Sequence, residues 1–129
     1  MNITEFLEAR IAEDESAAND ATGARWVVLP GVNASAVNID PTNVRDEKWK
    51  YGRFGHIATT SHDAAYAEHI ARHHPSRVLA ECAAKREIIR WWVDGLIGYV
   101  RVDDELTNPL LPLAAVYKDH PDYQQEWKP

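Results

Sequence analysis

The residues of this chain best equipped for chemistry are its histidines. His69 and His73 lie four apart, a spacing that sets both imidazoles on one face of a helix, as two ligands of one metal ion require. The helical zinc-peptidase pattern needs Glu directly after the first His as general base, and position 70 is Ile. A third ligand would have to come from His56, His62, His120 or a carboxylate. The competing role is structural: His69 packs partly buried, and His73 and His74 sit near a helix end, where a protonated imidazole interacts well with exposed carbonyls. The structural role is the expected one, so no cofactor is anticipated and zinc is the alternative.

Cys82 is the only thiol, with Lys85 and Arg86 nearby to lower its pKa if the sulfur faces them. It also falls in an apolar helical stripe between Val78 and Ile89, where a free Cys behaves as a small apolar residue. Glu13, Asp14 and Glu15, and again Asp103, Asp104 and Glu105, are oxygen donors for a divalent cation, but neither run follows a known ion-binding loop. Glycine-rich phosphate loops, a nucleophile elbow and paired metal-finger cysteines are absent, which argues against a familiar enzyme. The remaining feature is aromatic. Trp91 and Trp92 point about 100° apart on a helix and cannot both centre one buried stripe. With Trp49, Tyr51, Tyr123 and Trp127 they offer anchors for a protein interface, or else they stitch the elements together.

The elements that must position these groups follow from periodicity. Residues 3–20 form an amphipathic helix with Ile3, Phe6, Leu7 and Ile11 on one stripe, and Asn2 with Glu5 resembles a capping box. Residues 24–61 change character: Trp26 to Leu29, Ala36 to Ile39 and the stretch from Trp49 to Ile57 predict three or four short antiparallel strands. Helix returns over 62–73 and ends at His73-His74-Pro75, after which a long helix is predicted over about 76–100. Residues 103–108 predict an acidic loop, Leu110 to Val116 a short helix, His120 to Tyr123 a turn and the tail an extended segment. The expected architecture is one α+β domain over 1–129, mostly helical. It has an N-terminal helix, a small antiparallel β meander, then two to three C-terminal helices packed on it.

Composition narrows the function classes. The 129 residues carry a net charge of −6 and ordinary globular proportions of apolar and charged residues. One Arg stands against six acids in residues 1–22, and two basic residues against six acids in 103–129. No large basic face is left for a phosphate backbone, so nucleic-acid binding is not expected. The lone cysteine, the absence of a signal-like start and the absence of a long apolar run point to a cytoplasmic protein without a membrane span.

Three stretches carry a resemblance. They are Glu5-Phe6-Leu7-Glu8-Ala9-Arg10-Ile11-Ala12-Glu13-Asp14-Glu15, Ala67-Glu68-His69-Ile70-Ala71-Arg72-His73-His74-Pro75-Ser76-Arg77-Val78-Leu79, and Leu113-Ala114-Ala115-Val116-Tyr117-Lys118-Asp119-His120-Pro121-Asp122-Tyr123. Together they resemble a family of small actinobacterial and actinophage proteins, the domain of unknown function 6221 type. The resemblance implies a bacterial host, with a phage or mobile element as carrier, and brings no activity. It marks His69, His73, His120 and Tyr123 as motif positions. Many relatives carry cysteines just before the third stretch, and Val102 to Pro112 has none; if those cysteines bind metal elsewhere in the family, this member has lost that site. These observations point to a non-catalytic accessory protein that binds a protein partner or itself, with Trp91, Trp92, Trp49, Tyr123 and Trp127 as interface candidates. The alternative is a metal-binding protein or metal-dependent enzyme using His69 and His73.

Overall fold

A computed structural model describes residues 1–21, 25–28, 36–39, 56–59 and 64–129. The element order is α1 (Ile3–Asp20), β1 (Trp26–Val27), β2 (Ala36–Ile39), β3 (His56–Thr59), α2 (Ala64–Arg72), α3 (Pro75–Val93), β4 (Val100–Val102), β5 (Glu105–Thr107) and α4 (Leu111–Ala115). A 3-10 turn at Gln125–Trp127 follows. This is the expected α+β arrangement of N-terminal helix, antiparallel meander and C-terminal helices. The residues group into two compact units, Met1–Asp14 with Glu81–Pro129, and Glu15–Ala80.

In the Glu15–Ala80 unit, β1, β2 and β3 form an antiparallel sheet in that order, with Trp26 opposite Ile39 and Val37 opposite Ala58. The register slips between Val37 and Asn38, so Asn38 faces His56. Strands this short are marginal in water unless an apolar face is covered. Helix α2 supplies the cover: Ala67 and Ala71 are buried with Val37, and Trp26, Val28, Ala58 and Ile70 pack around them. The two alanines, four apart on one face, let the helix approach the sheet closely. Helix α3 starts at a corner set by His74 and Pro75. The His74 carbonyl accepts the Val78 N–H at 3.1 Å, its Nδ1 accepts the Arg77 N–H at 3.1 Å, and Pro75 occupies the first helical position, where no N–H is needed.

In the other unit α1 is capped as its sequence suggests. Asn2 N–H donates to Glu5 Oε2 at 2.8 Å and Glu5 N–H to Asn2 Oδ1 at 2.9 Å. Phe6, Leu7, Ile11, Cys82, Ile89, Leu110 and Ala114 are buried. The long helix is shorter than periodicity predicts, ending at Val93 rather than near 100. Gly95 takes φ +72°, Leu96 N–H reaches the Trp91 carbonyl at 2.8 Å and Gly95 N–H the Trp92 carbonyl at 3.2 Å. That bond pair closes a helix through a left-handed residue, a conformation glycine adopts without a Cβ penalty. The freed residues form a hairpin where an acidic loop was expected. Strands β4 and β5 pair with Val100 opposite Thr107 and Val102 opposite Glu105. Asp103 and Asp104 fill the two-residue turn with φ of 47° and 67°. Positive φ at both positions suits the right-handed strand twist, and Asp tolerates it better than most residues.

Candidate functional site

The most elaborate side-chain arrangement surrounds Phe6 and Arg10, one turn apart on α1. Phe6 is fully buried beneath Trp127 (4.9 Å between ring centroids), with Tyr117, His120 and Tyr123 meeting it edge-on at 5.9–6.3 Å. Arg10 stacks over the same ring at 5.5 Å and is 7% exposed. A buried guanidinium needs its charge and donors met. Arg10 Nη2 donates to Glu13 at 2.8 Å and Nη1 to Asp122 at 3.5 Å. Nη1 also sits against the His120 ring, 2.7 Å from Nδ1 and 2.5 Å from Nε2. His120 Nδ1 is aimed at by the Asp122 backbone N–H as well, at 3.1 Å. Arg10 Nε is buried and meets no acceptor among the described residues.

Beside this cluster the Tyr117 hydroxyl donates to Asp14 at 2.7 Å and accepts from Lys85 Nζ at 3.1 Å. Burial, reinforced by the Asp14 carboxylate that accepts its hydrogen bond, pushes the Tyr117 phenol far above the usual tyrosine range. The group is thus a permanent donor, unsuited to shuttling a proton near neutral pH. Gln124 Nε2 ties the tail to α1 by donating to the Met1 carbonyl at 2.8 Å. The arrangement clamps the C-terminal segment onto α1.

A second region of the same unit has the opposite character. Val93, Leu96, Tyr99, Val100, Val102 and Leu106 are all exposed, Leu96 and Leu106 by about two thirds (67% and 66%). Trp91 is 39% exposed, and its indole N–H donates to Glu87 at 3.1 Å, which fixes the ring's orientation. Arg90 bridges Glu87 and Asp94, and the hydrogen bond from its guanidinium holds the Glu87 carboxyl below its usual range. Trp92 is half-buried, edge-on to Tyr99 at 5.2 Å.

The interface candidates therefore separate. Trp91 lies at the surface, and Trp92 is partly covered. Trp127, 6% exposed, is a core residue rather than a surface anchor, because Phe6 offers it a buried ring to stack on. Tyr123 is half-buried against the same two rings. Trp49 lies outside the described residues, as does His62.

The paired histidines do meet. The His69 and His73 rings stand 4.4 Å apart on exposed side chains, and His73 Nδ1 donates to the His69 carbonyl at 2.8 Å. That bond satisfies a helix-terminal carbonyl, the structural role anticipated for His73, whereas His69 is exposed and not partly buried as expected, because Ala67 and Ala71 are the buried positions of this helix. Among the described residues no group of three or more potential ligands is arranged to hold a metal ion. Cys82 is 1% exposed, its sulfur 4.0 Å from the Ile11 carbonyl, as expected of a packing residue. Of the acidic run on α1, Glu13 serves Arg10 and Asp14 serves Tyr117. Arg10 is the residue that sequence reasoning missed; a lone Arg four positions after Phe6 on an otherwise acidic helix is the signal that marks it.

The fold and clamp thus define a small α+β protein whose most ordered polar network is structural. The chain belongs to a family of unknown function (DUF6221), whose model matches residues 1–129. Neither a curated protein nor a solved structure matches it. No helix among the described residues is long and apolar enough to cross a membrane.

Proposed function

We propose that this is a non-catalytic accessory protein that binds a protein partner through the β4–β5 hairpin and the adjoining end of α3. The reading places it in the cytoplasm of an actinobacterial host, carried by a phage or mobile element, as the sequence resemblance implies. One observation carries it: the hairpin presents its apolar side chains to solvent on a two-stranded sheet with no third strand among the described residues. Such a ribbon is marginal in water, and its edge N–H and C=O groups are a template for another chain. Val100 and Val102 lie on one face of the ribbon and Leu106, opposite Arg101, on the other, so both faces expose apolar side chains, and exposed apolar surface marks interaction sites.

The test is association. Val102→Lys with Leu106→Lys is expected to leave the melting temperature within a few degrees and to abolish capture of the partner, or self-association, seen with the unaltered protein. Undiminished association would remove the hairpin from consideration. A second reading retains His69 and His73 as a zinc site, favoured by the bond from His73 Nδ1 to the His69 carbonyl, which turns Nε2 outward as in many metal-bound imidazoles. Native mass spectrometry separates the two. A stoichiometric metal, with a melting temperature that falls on chelation, would favour the histidine pair.

A further inference from the structure

We propose that a cleft in the Glu15–Ala80 unit, between β1 and the corner joining α2 to α3, is a binding site for a small phosphate-bearing molecule. The cleft has a volume of about 360 Å³, within the range of single-ligand sites. Among the described residues, Arg25, Arg72 and Arg77 line it with one carboxylate, Glu68, in a protein whose net charge is −6. The basic side chains are held by local structure. Arg72 Nε donates to Glu68 at 3.0 Å, and Arg77 Nη1 donates to the Arg72 carbonyl at 3.1 Å, which brings the second guanidinium back toward the first. The His74 ring, fixed by its cap on α3, completes that side.

Trp26, whose backbone is pinned by pairing with Ile39, also lines the cleft. Its indole Nε1–H is shielded from solvent and meets no acceptor among the described residues. A buried donor without an acceptor is costly, and Trp26 is one of the residues lining the cleft. A ligand rich in acceptor oxygens suits a site lined by three guanidinium groups and this indole. Phosphate offers several oxygens and up to two charges, and the planar guanidinium matches it through paired hydrogen bonds. Val27, Val28 and Ala71 complete the lining with apolar surface on which the organic part of a phosphate ester can rest. A long polyanion fits less well, because the acidic segments at both ends of the sequence oppose it.

The experiment follows the Trp26 indole N–H by nitrogen-15 NMR during titration with inorganic phosphate and, separately, with adenosine monophosphate. Both are expected to shift that resonance saturably. Arg72→Gln with Arg77→Gln is expected to weaken both by about tenfold or more, whereas Arg101→Gln, in the hairpin, leaves them unchanged. Arg72 and Arg77 are both exposed, so the variants retain the fold; Arg25→Gln serves if the double variant melts early. Tighter binding of the nucleotide identifies a phosphate ester as the natural ligand, and equal binding identifies free phosphate. No shift at tens of millimolar ligand, or the same shift in the double variant, overturns the proposal.

Discussion

The clamp on α1 and the β4–β5 hairpin belong to the same compact unit, yet they use aromatic and apolar residues in opposite ways. In the clamp, Phe6 and Trp127 are withdrawn from water and the charged groups around them are arranged to satisfy Arg10. In the hairpin, Leu96, Val102 and Leu106 stay in water. Large apolar residues in an acidic protein thus mark either a place where the chain closes on itself or a place left open. Burial of the neighbouring charges tells which, since only the clamp pairs a buried cation.

Substitutions that break this contrast are ordered by how much burial each removes. Phe6→Ala should have the largest effect, a loss of about 3–5 kcal/mol from a vacated ring site, read by chemical denaturation. Trp91→Ala should cost well under about 1 kcal/mol, in line with a half-exposed ring; if the two cost the same, Trp91 is core and the contrast fails. Arg10→Ala should cost about 2 kcal/mol through lost bonds to His120 and lost stacking on Phe6, because the carboxylates it releases are exposed and rehydrate.

Tyr117→Phe removes the donor to Asp14 and should cost about 1 kcal/mol, while weakening a pH effect. A phenol whose folded pKa is raised contributes stability that is complete below the ordinary tyrosine pKa near 10 and is lost as pH rises beyond it. Denaturation midpoints should therefore fall above about pH 10 in the unaltered protein and fall less in the variant. Smallest of all, Asp104→Gly should stabilise the hairpin by about 0.5 kcal/mol, visible as slower amide exchange in β4 and β5, because glycine carries the positive φ without strain.

The sequence exposes the start of α1 clearly, since Asn2 and Glu5 are a local signal three residues apart. The corner at Pro75 is equally legible, because proline acts on its immediate neighbours. The hairpin is not, and the reason is specific. Leu96, Ile97 and Val100 prolong the apolar spacing of α3, so periodicity runs on past Val93, while the left-handed turn at Gly95 decides the helix end. Asp103-Asp104 lacks the Asn-Gly character that announces a two-residue turn. The clamp is hidden for another reason: Arg10 and His120 are separated by 110 positions, and no local pattern links a cation on one helix to a ring in a distant turn. Trp127 looks like a surface residue in a polar tail until Phe6 is brought beneath it.

That separation has a consequence for how the chain is made. The rings that cover Phe6 come from Tyr117, His120, Tyr123 and Trp127, so more than a hundred residues must be synthesised before they exist. At about 5–20 residues per second the apolar face of α1 waits several seconds on the ribosome without its final cover. Closing so long a loop also slows the last step of folding, because its entropy is lost before the ring contacts return any stabilisation. Helix α1 thus emerges before the other described elements and waits longest for its cover.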